Sequence, residues 1–123
     1  MVDGAQSGEM AVLEQLRQKN PDITAAVVAT MDGFAVHSDD AGAVDPDTLA
    51  AMAADLANRA ASMTEDLDQG ALGQILIAAE GGYVVATKIA DEFCLAVAAK
   101  NDASLGLLMI NVRKAAGQLA EEI

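Results

Sequence analysis

"GQILIAAEGGYVVATKIADEFCLAVAAK", residues 73–100, reads as three apolar runs broken by two short turns. Runs of this length, rich in Val, Ile and Ala and bounded by glycine or acidic residues, are strands. The Gly81-Gly82 pair raises a second possibility, because glycine pairs also occur in loops that wrap phosphates. A nucleotide cradle runs from a strand into a helix, so that the helix N-terminus meets the anion. Here the pair leads from one strand into the next, and no GxGxxG or P-loop pattern occurs in the chain. It therefore reads as a hairpin turn, with Ala90-Asp91-Glu92 as the second. Connections this short make the three strands antiparallel neighbours.

Upstream, "ITAAVVAT" (Ile23–Thr30) is apolar on both alternating sets. Ile23, Ala25, Val27 and Ala29 point one way and Ala26 and Val28 the other, as in an interior strand covered on both faces. Asp32-Gly33 then signals a hairpin, and "FAVHS" is the returning strand. Asp45 is a good N-cap and Pro46 a good first helical residue. That helix runs to about Leu67, with Leu49, Ala53, Leu56, Ala60, Met63 and Leu67 as its apolar stripe. A short first helix, "EMAVLEQLRQKN", ends at Asn20-Pro21. A last helix opens with Asn101 or Asp102 as cap and buries Leu105, Leu108, Val112, Ala115 and Leu119. The order is αββαβββα. Residues 1–8 read as a flexible N-terminus and 9–122 as one domain.

The chain has 123 residues, the size of one domain. It is 53% hydrophobic but only 2% aromatic, so its core is built from Ala, Val, Leu, Ile and Met. A net charge of -12 repels phosphate backbones and anionic lipid, which argues against nucleic-acid and membrane-surface partners. The same charge suits a basic partner or a salt-rich host. No apolar run reaches the roughly 20 residues that span a bilayer, and no signal-peptide pattern opens the chain. Cys94 stands alone, so neither a disulfide nor a cysteine metal site is expected, and a cytoplasmic location fits.

Candidates for chemistry are weak. His37, Ser38 and Asp39 are sequence neighbours, whereas a triad needs members that converge in space. Cys94 lies mid-strand among apolar residues, the setting of an inert core thiol. Asp39, Asp40, Asp45 and Asp47 do not follow a calcium-loop spacing. Arg59, on the flank of the long helix, is a lone candidate for an arginine finger offered to a nucleotide-hydrolysing partner. The chain is expected to be no enzyme and to hold no cofactor or metal.

Two features ask instead for a partner. Opposite the apolar stripe of the long helix lie Asp47, Ala51, Ala54, Asn58, Ala61, Ser62 and Glu65. The middle of this face is small and nearly neutral. Such a face admits a second helix, although alanine is also simply the best helix former. The strand "QILIAA", carrying Ile75, Leu76 and Ile77, follows a helix and is expected at a sheet edge. It has no guarding lysine or proline, so pairing with another copy would protect it. Two self-complementary surfaces on adjacent elements imply a two-fold homodimer. Asp55, Arg59, Glu65 and Asp66 would face a further partner.

Three segments together resemble the roadblock, or dynein light-chain, family. "AAVVATMDGFAVHS" is similar to its first hairpin, residues 73–100 to its three-stranded meander, and "ASLGLLMINVRKAAGQL" to its final helix. The resemblance implies a roadblock/profilin-like α+β fold. That fold has a five-stranded antiparallel sheet, one long helix on one face and two terminal helices on the other. It also implies dimers that pair their long helices and third strands, and a Ras-like small GTPase as partner. The expected function is a non-enzymatic homodimeric regulator or scaffold of such a GTPase, with activation of its hydrolysis as one form that regulation takes. A structural adaptor without nucleotide-dependent binding is the alternative. A small-ligand sensor is less favoured, because few aromatic or buried polar residues exist to line a pocket.

Overall fold

Alternation of side chains to opposite sides of the strands sorts the apolar residues into two cores. The computed structural model describes residues 8–123; residues 1–7, most of the expected flexible start, lie outside them. The elements are α1 (Gly8–Lys19), β1 (Ile23–Thr30), β2 (Ala35–Asp40), α2 (Pro46–Asp66), β3 (Gln74–Ala79), β4 (Gly82–Ile89), β5 (Phe93–Lys100) and α3 (Leu105–Glu122). The strands form one sheet in the order β2-β1-β5-β4-β3, antiparallel throughout. β3 is an edge strand, as its position after a helix implies.

Large side chains fill one face. Val28 of β1, Val85 and Ile89 of β4, and Leu95 and Val97 of β5 pack against Leu13 and Leu16 of α1 and Leu108, Val112 and Leu119 of α3. The opposite face is lined with small ones: Ala25, Ala29, Ala86 and Ala96, with Val27 and Cys94 between them. Small residues let α2 approach closely with Leu49, Ala50 and Ala53. Ile23 departs from the simple alternation and belongs to the α1–α3 side. A register shift between Ile23 and Ala25 moves it there, since one extra residue flips a side chain to the other face.

The caps explain the helix limits. The Asp45 side chain accepts from the Asp47 N–H (3.2 Å) and the Thr48 hydroxyl (2.8 Å). At the other end the Asp68 N–H donates to the Glu65 carbonyl and the Gln69 N–H to the Thr64 carbonyl, closing a Schellman turn with Asp68 at φ 57. The expected cap of α3 is corrected. Ser104 occupies the N-cap position, and Asn101 instead donates from Nδ2 to the Glu80 carbonyl (2.7 Å), pinning the β3–β4 turn. Asn20 accepts from the Asn111 side chain (2.8 Å) while its own Nδ2 donates to the Leu16 carbonyl (2.8 Å), so α3 clasps the end of α1. Arg17 to Asp39 (3.2 Å) and His37 to Glu9 (3.4 Å) fasten α1 to β2.

The glycine pair divides its work. Ala79 and Gly82 are paired residues, so Glu80 and Gly81 form a two-residue turn. Gly82 is already in β4, where a Cβ would collide with the Ala99 carbonyl oxygen of β5; Gly81 has open space around it. Gly82→Ala should therefore destabilise the fold by about 1–3 kcal/mol, while Gly81→Ala should stay within about 0.5 kcal/mol of the parent. Urea denaturation of the two variants checks the contrast.

Candidate functional site

The long helix does not cover its side of the sheet evenly. The buried residues of α2 are Leu49, Ala50, Ala53, Ala54 and Ala57, and none is buried from Asn58 onward. The apolar stripe expected at Leu56, Met63 and Leu67 is thus corrected. Leu56 is half-buried, while Met63 (63% exposed) and Leu67 stand in solvent. The helix packs where the sheet offers alanines, and its last turns project beyond the covered part.

The small-residue face needs correction at one position. Ala54 lies inside the core and not on a free surface. Ala51 lies beside the β1–β2 turn: a Cβ on Gly33 would sit 3.3 Å from the Ala51 Cα. Asn58 donates from Nδ2 to the Met31 carbonyl of the same turn (3.0 Å). Ala61 is half-buried beside the hollow under the helix end, and Ser62 is exposed. Of the residues on the face read as open to a second helix, Ala54 alone is buried; Ala51, Asn58 and Ser62 stay exposed, with the chain's own hairpin beside Ala51 and Asn58. Helical periodicity located the flank; only the sheet order shows what lies next to it.

The other flank is open as well. Between α2 and β3–β4 runs an apolar groove of about 640 Å³. Leu49, Met52 and Leu56 form its helix wall, and Ile77, Val84 and Ala98 its sheet floor. Met52 is 69% exposed and Ile77 42%. Asp55 and Arg59 stand at the rim in a 3.3 Å pair, both largely exposed, an arrangement of little energetic weight. Met52 and Leu56 were missed as groove-lining residues because helical spacing alone does not show which part of a helix the sheet reaches.

β3 bounds this groove. Among the described residues it pairs with β4 alone, from Gln74 opposite Thr87 to Ala79 opposite Gly82. Ile75 packs against the α2-side core, Ile77 opens into the groove, and Leu76 is exposed on the opposite face. The start of the strand is firmly held. Gln74 Nε2 donates to Thr87 Oγ1 (3.1 Å) and to the Met109 carbonyl (3.0 Å), and Arg113 donates to Gln74 Oε1 (3.2 Å). Its outer edge carries no proline or charged residue. Glu65 and Asp66 are exposed at the projecting end of α2, next to Met63 and Leu67.

The other candidates fall elsewhere. His37 pairs with Glu9 and Asp39 with Arg17, so neither turns toward the other in a triad. Among the described residues no group of three or more His, Cys, Asp or Glu could hold a metal ion. No helix among them is long and apolar enough to cross a membrane.

A sheet covered by one long helix on one face and two terminal helices on the other is a roadblock/profilin-type α+β fold. The Roadblock/LC7 domain model matches residues 10–99, and the chain belongs to that family. Similar solved structures include a Roadblock/LC7 domain from Streptomyces avermitilis (22% identity, 91% of this chain and 94% of that one, TM-score 0.82). Another is MglB with a tetrameric arrangement (20%, 98% and 91%, TM-score 0.85). Profilin IA of Acanthamoeba castellanii shares the fold more distantly (15%, 91% and 96%, TM-score 0.60). No match is found among curated protein sequences.

Cys94 lies in the small-residue core, where burial pushes its thiol up to about 11. The thiol stays protonated in the folded chain after it would ionise in the unfolded one. Stability from this group is therefore full below pH 9 and is lost as the pH rises from 9 toward 11. At pH 8 the native thiol should react with a thiol reagent only through opening of the fold. Labelling rates that rise with urea in step with unfolding, and are near zero without it, are the expected result.

Proposed function

We propose that the chain is a non-enzymatic homodimeric platform that binds and regulates a Ras-like small GTPase. The observation that carries the reading is the apolar groove beside α2, lying open next to an unpaired, unguarded strand edge. A two-fold copy that adds its β3 to this one would bring its own α2 over Ile77 and Met52, covering both liabilities at once. The tetrameric arrangement of the MglB neighbour supports self-association of this fold. The two α2 crests would then lie side by side, offering Asp55, Arg59, Ser62, Glu65 and Asp66 to a partner. Membership in the Roadblock/LC7 family supports a small GTPase in that place. No side chain is assigned a chemical step. Regulation would work by binding one GTPase conformation more tightly than another.

Association in this geometry depends on the groove and not on the buried Ala54, whose replacement would damage the fold itself. The parent should show twice the 12.6 kDa chain mass by light scattering. Met52→Glu and Ile77→Lys should each weaken the dimer by about 100-fold or more while leaving the circular dichroism of the monomer unchanged. Dimers unaffected by both substitutions would sink the geometry. Titration with Ras-like GTPases in the GDP and GTP-analogue states should reveal binding to one state. An intact dimer with no such binding favours a structural adaptor.

A further inference from the structure

We propose that the tip of the β1–β2 hairpin, anchored by Phe34 with Val36 beside it, is a second contact for the protein seated on the α2 crests. It would enter an apolar pocket ringed by basic residues on that partner. The inference rests on the reading of α2 as a partner platform. The chain has three aromatic residues. Tyr83 and Phe93 pack against the α1–α3 core, whereas Phe34 is 71% exposed. Large exposed aromatics on a rigid support are the residues on which protein interfaces concentrate their binding energy.

The support is rigid. The Phe34 N–H donates to Thr30 Oγ1 (3.1 Å), and the Phe34 carbonyl accepts from the Thr30 N–H (2.9 Å). The turn is then fixed to α2 twice, by Gly33 against Ala51 and by the Asn58 side chain on the Met31 carbonyl. A tip held in this way loses little freedom on binding. Its apolar character is extended by a bulge. Val28 pairs with His37 and Ala29 with Ala35, so Val36 is the extra residue, left without a partner and 46% exposed. Bulges near functional surfaces commonly re-aim a side chain in this manner.

Position selects the occupant. The hairpin lies at the β2 edge, four strand spacings, about 19 Å, from β3. A copy paired along β3 leaves the tip free, so the tip is no part of that dimer contact. It is continuous instead with the α2 surface at Ala51 and Asn58. Asp32 in the turn and Asp47 on the adjoining helix are exposed, and residues 30–36 contain no lysine or arginine. This surround matches a basic rim on the partner.

The test uses whichever GTPase binds the parent dimer, with affinity measured by calorimetry. Phe34→Ala and Phe34→Asp should keep the parent's dimer mass and melting temperature and lower GTPase affinity by about tenfold or more. Val36→Ala should lower it less. Parent-like affinity in both Phe34 variants overturns the inference and leaves the platform reading standing. Loss of the dimer in those variants also overturns it, because the tip would then be a contact between copies. A parent dimer that binds no Ras-like GTPase in either nucleotide state removes both readings.

Discussion

Pairing of β1 with β5 holds the molecule together. It joins two units that are local in sequence, the β1–β2 hairpin and the β3–β4–β5 meander, along eight-residue strands in the middle of the sheet. Each unit alone has an exposed face and two edges, and a small isolated sheet is barely stable in water. Once β5 lies against β1, the remaining order is forced. β2 takes one edge and β3 the other, and the link between them must cross the sheet from side to side. A 21-residue helix, about 31 Å long, makes that crossing. The groove is a consequence of the crossing. α2 packs mainly on β1, β2 and β5, so the far corner over β3 and β4 is left open.

The two faces meet this topology differently. Two helices share the α1–α3 side, and branched side chains of β1, β4 and β5 fill the space between them. One helix has the other side to itself, and there the strands carry mostly alanine. A close-packed alanine layer buries little area per residue, so it holds α2 by proximity and not by large side chains. The polar clasps are correspondingly placed. α1, α3 and β3 are tied by Asn20, Asn111, Gln74 and Arg113, whereas α2 is held to the hairpin by the Asn58 side chain, its cap hydrogen bonds being internal to the helix and its ends. The face that leaves an apolar surface open is therefore also the face with the lighter attachment.

Most of the fold was legible because its signals are local. The Asp-Gly turn, the Asp45-Pro46 helix start and the turn at Glu80-Gly81 each determine their own neighbourhood, and the order of elements follows. The edge position of β3 was also within reach, since a strand that follows a long crossing helix has to begin at an edge or beside one. What could not be read was adjacency across the sheet. A helical wheel places Ala51 and Asn58 on one flank and Met52 and Leu56 on the other. It does not say that the hairpin lies under the first flank and open sheet under the second. The same limit misassigned Met63 and Leu67: their spacing is that of a buried stripe, but no sheet lies beneath them. Ile23 was misplaced for a different reason, because a bulge breaks the alternation and leaves no mark in composition.

Charge decides which part of the surface is left to do recognition. With 19 acidic and 7 basic residues, the chain repels other copies wherever acid meets acid. The proposed self-association would therefore have to run through surfaces low in uncompensated charge, such as the outer edge of β3 and the groove wall at Met52 and Leu56, where Asp55 at the rim is paired with Arg59. A heterologous partner faces the opposite requirement. It gains from the acidic crest at Asp55, Glu65 and Asp66 only if it is basic, and electrostatic steering of this kind raises the association rate more than it tightens the complex. Tightness has to come from apolar anchors within reach of that crest. Phe34, exposed at the hairpin edge of α2, would be one, and Met63 and Leu67 stand exposed beside the acidic end. On the proposed reading the surface would separate two kinds of neighbour by chemistry: weakly charged contacts for a second copy, and acidic contacts with a few apolar anchors for a protein of opposite charge.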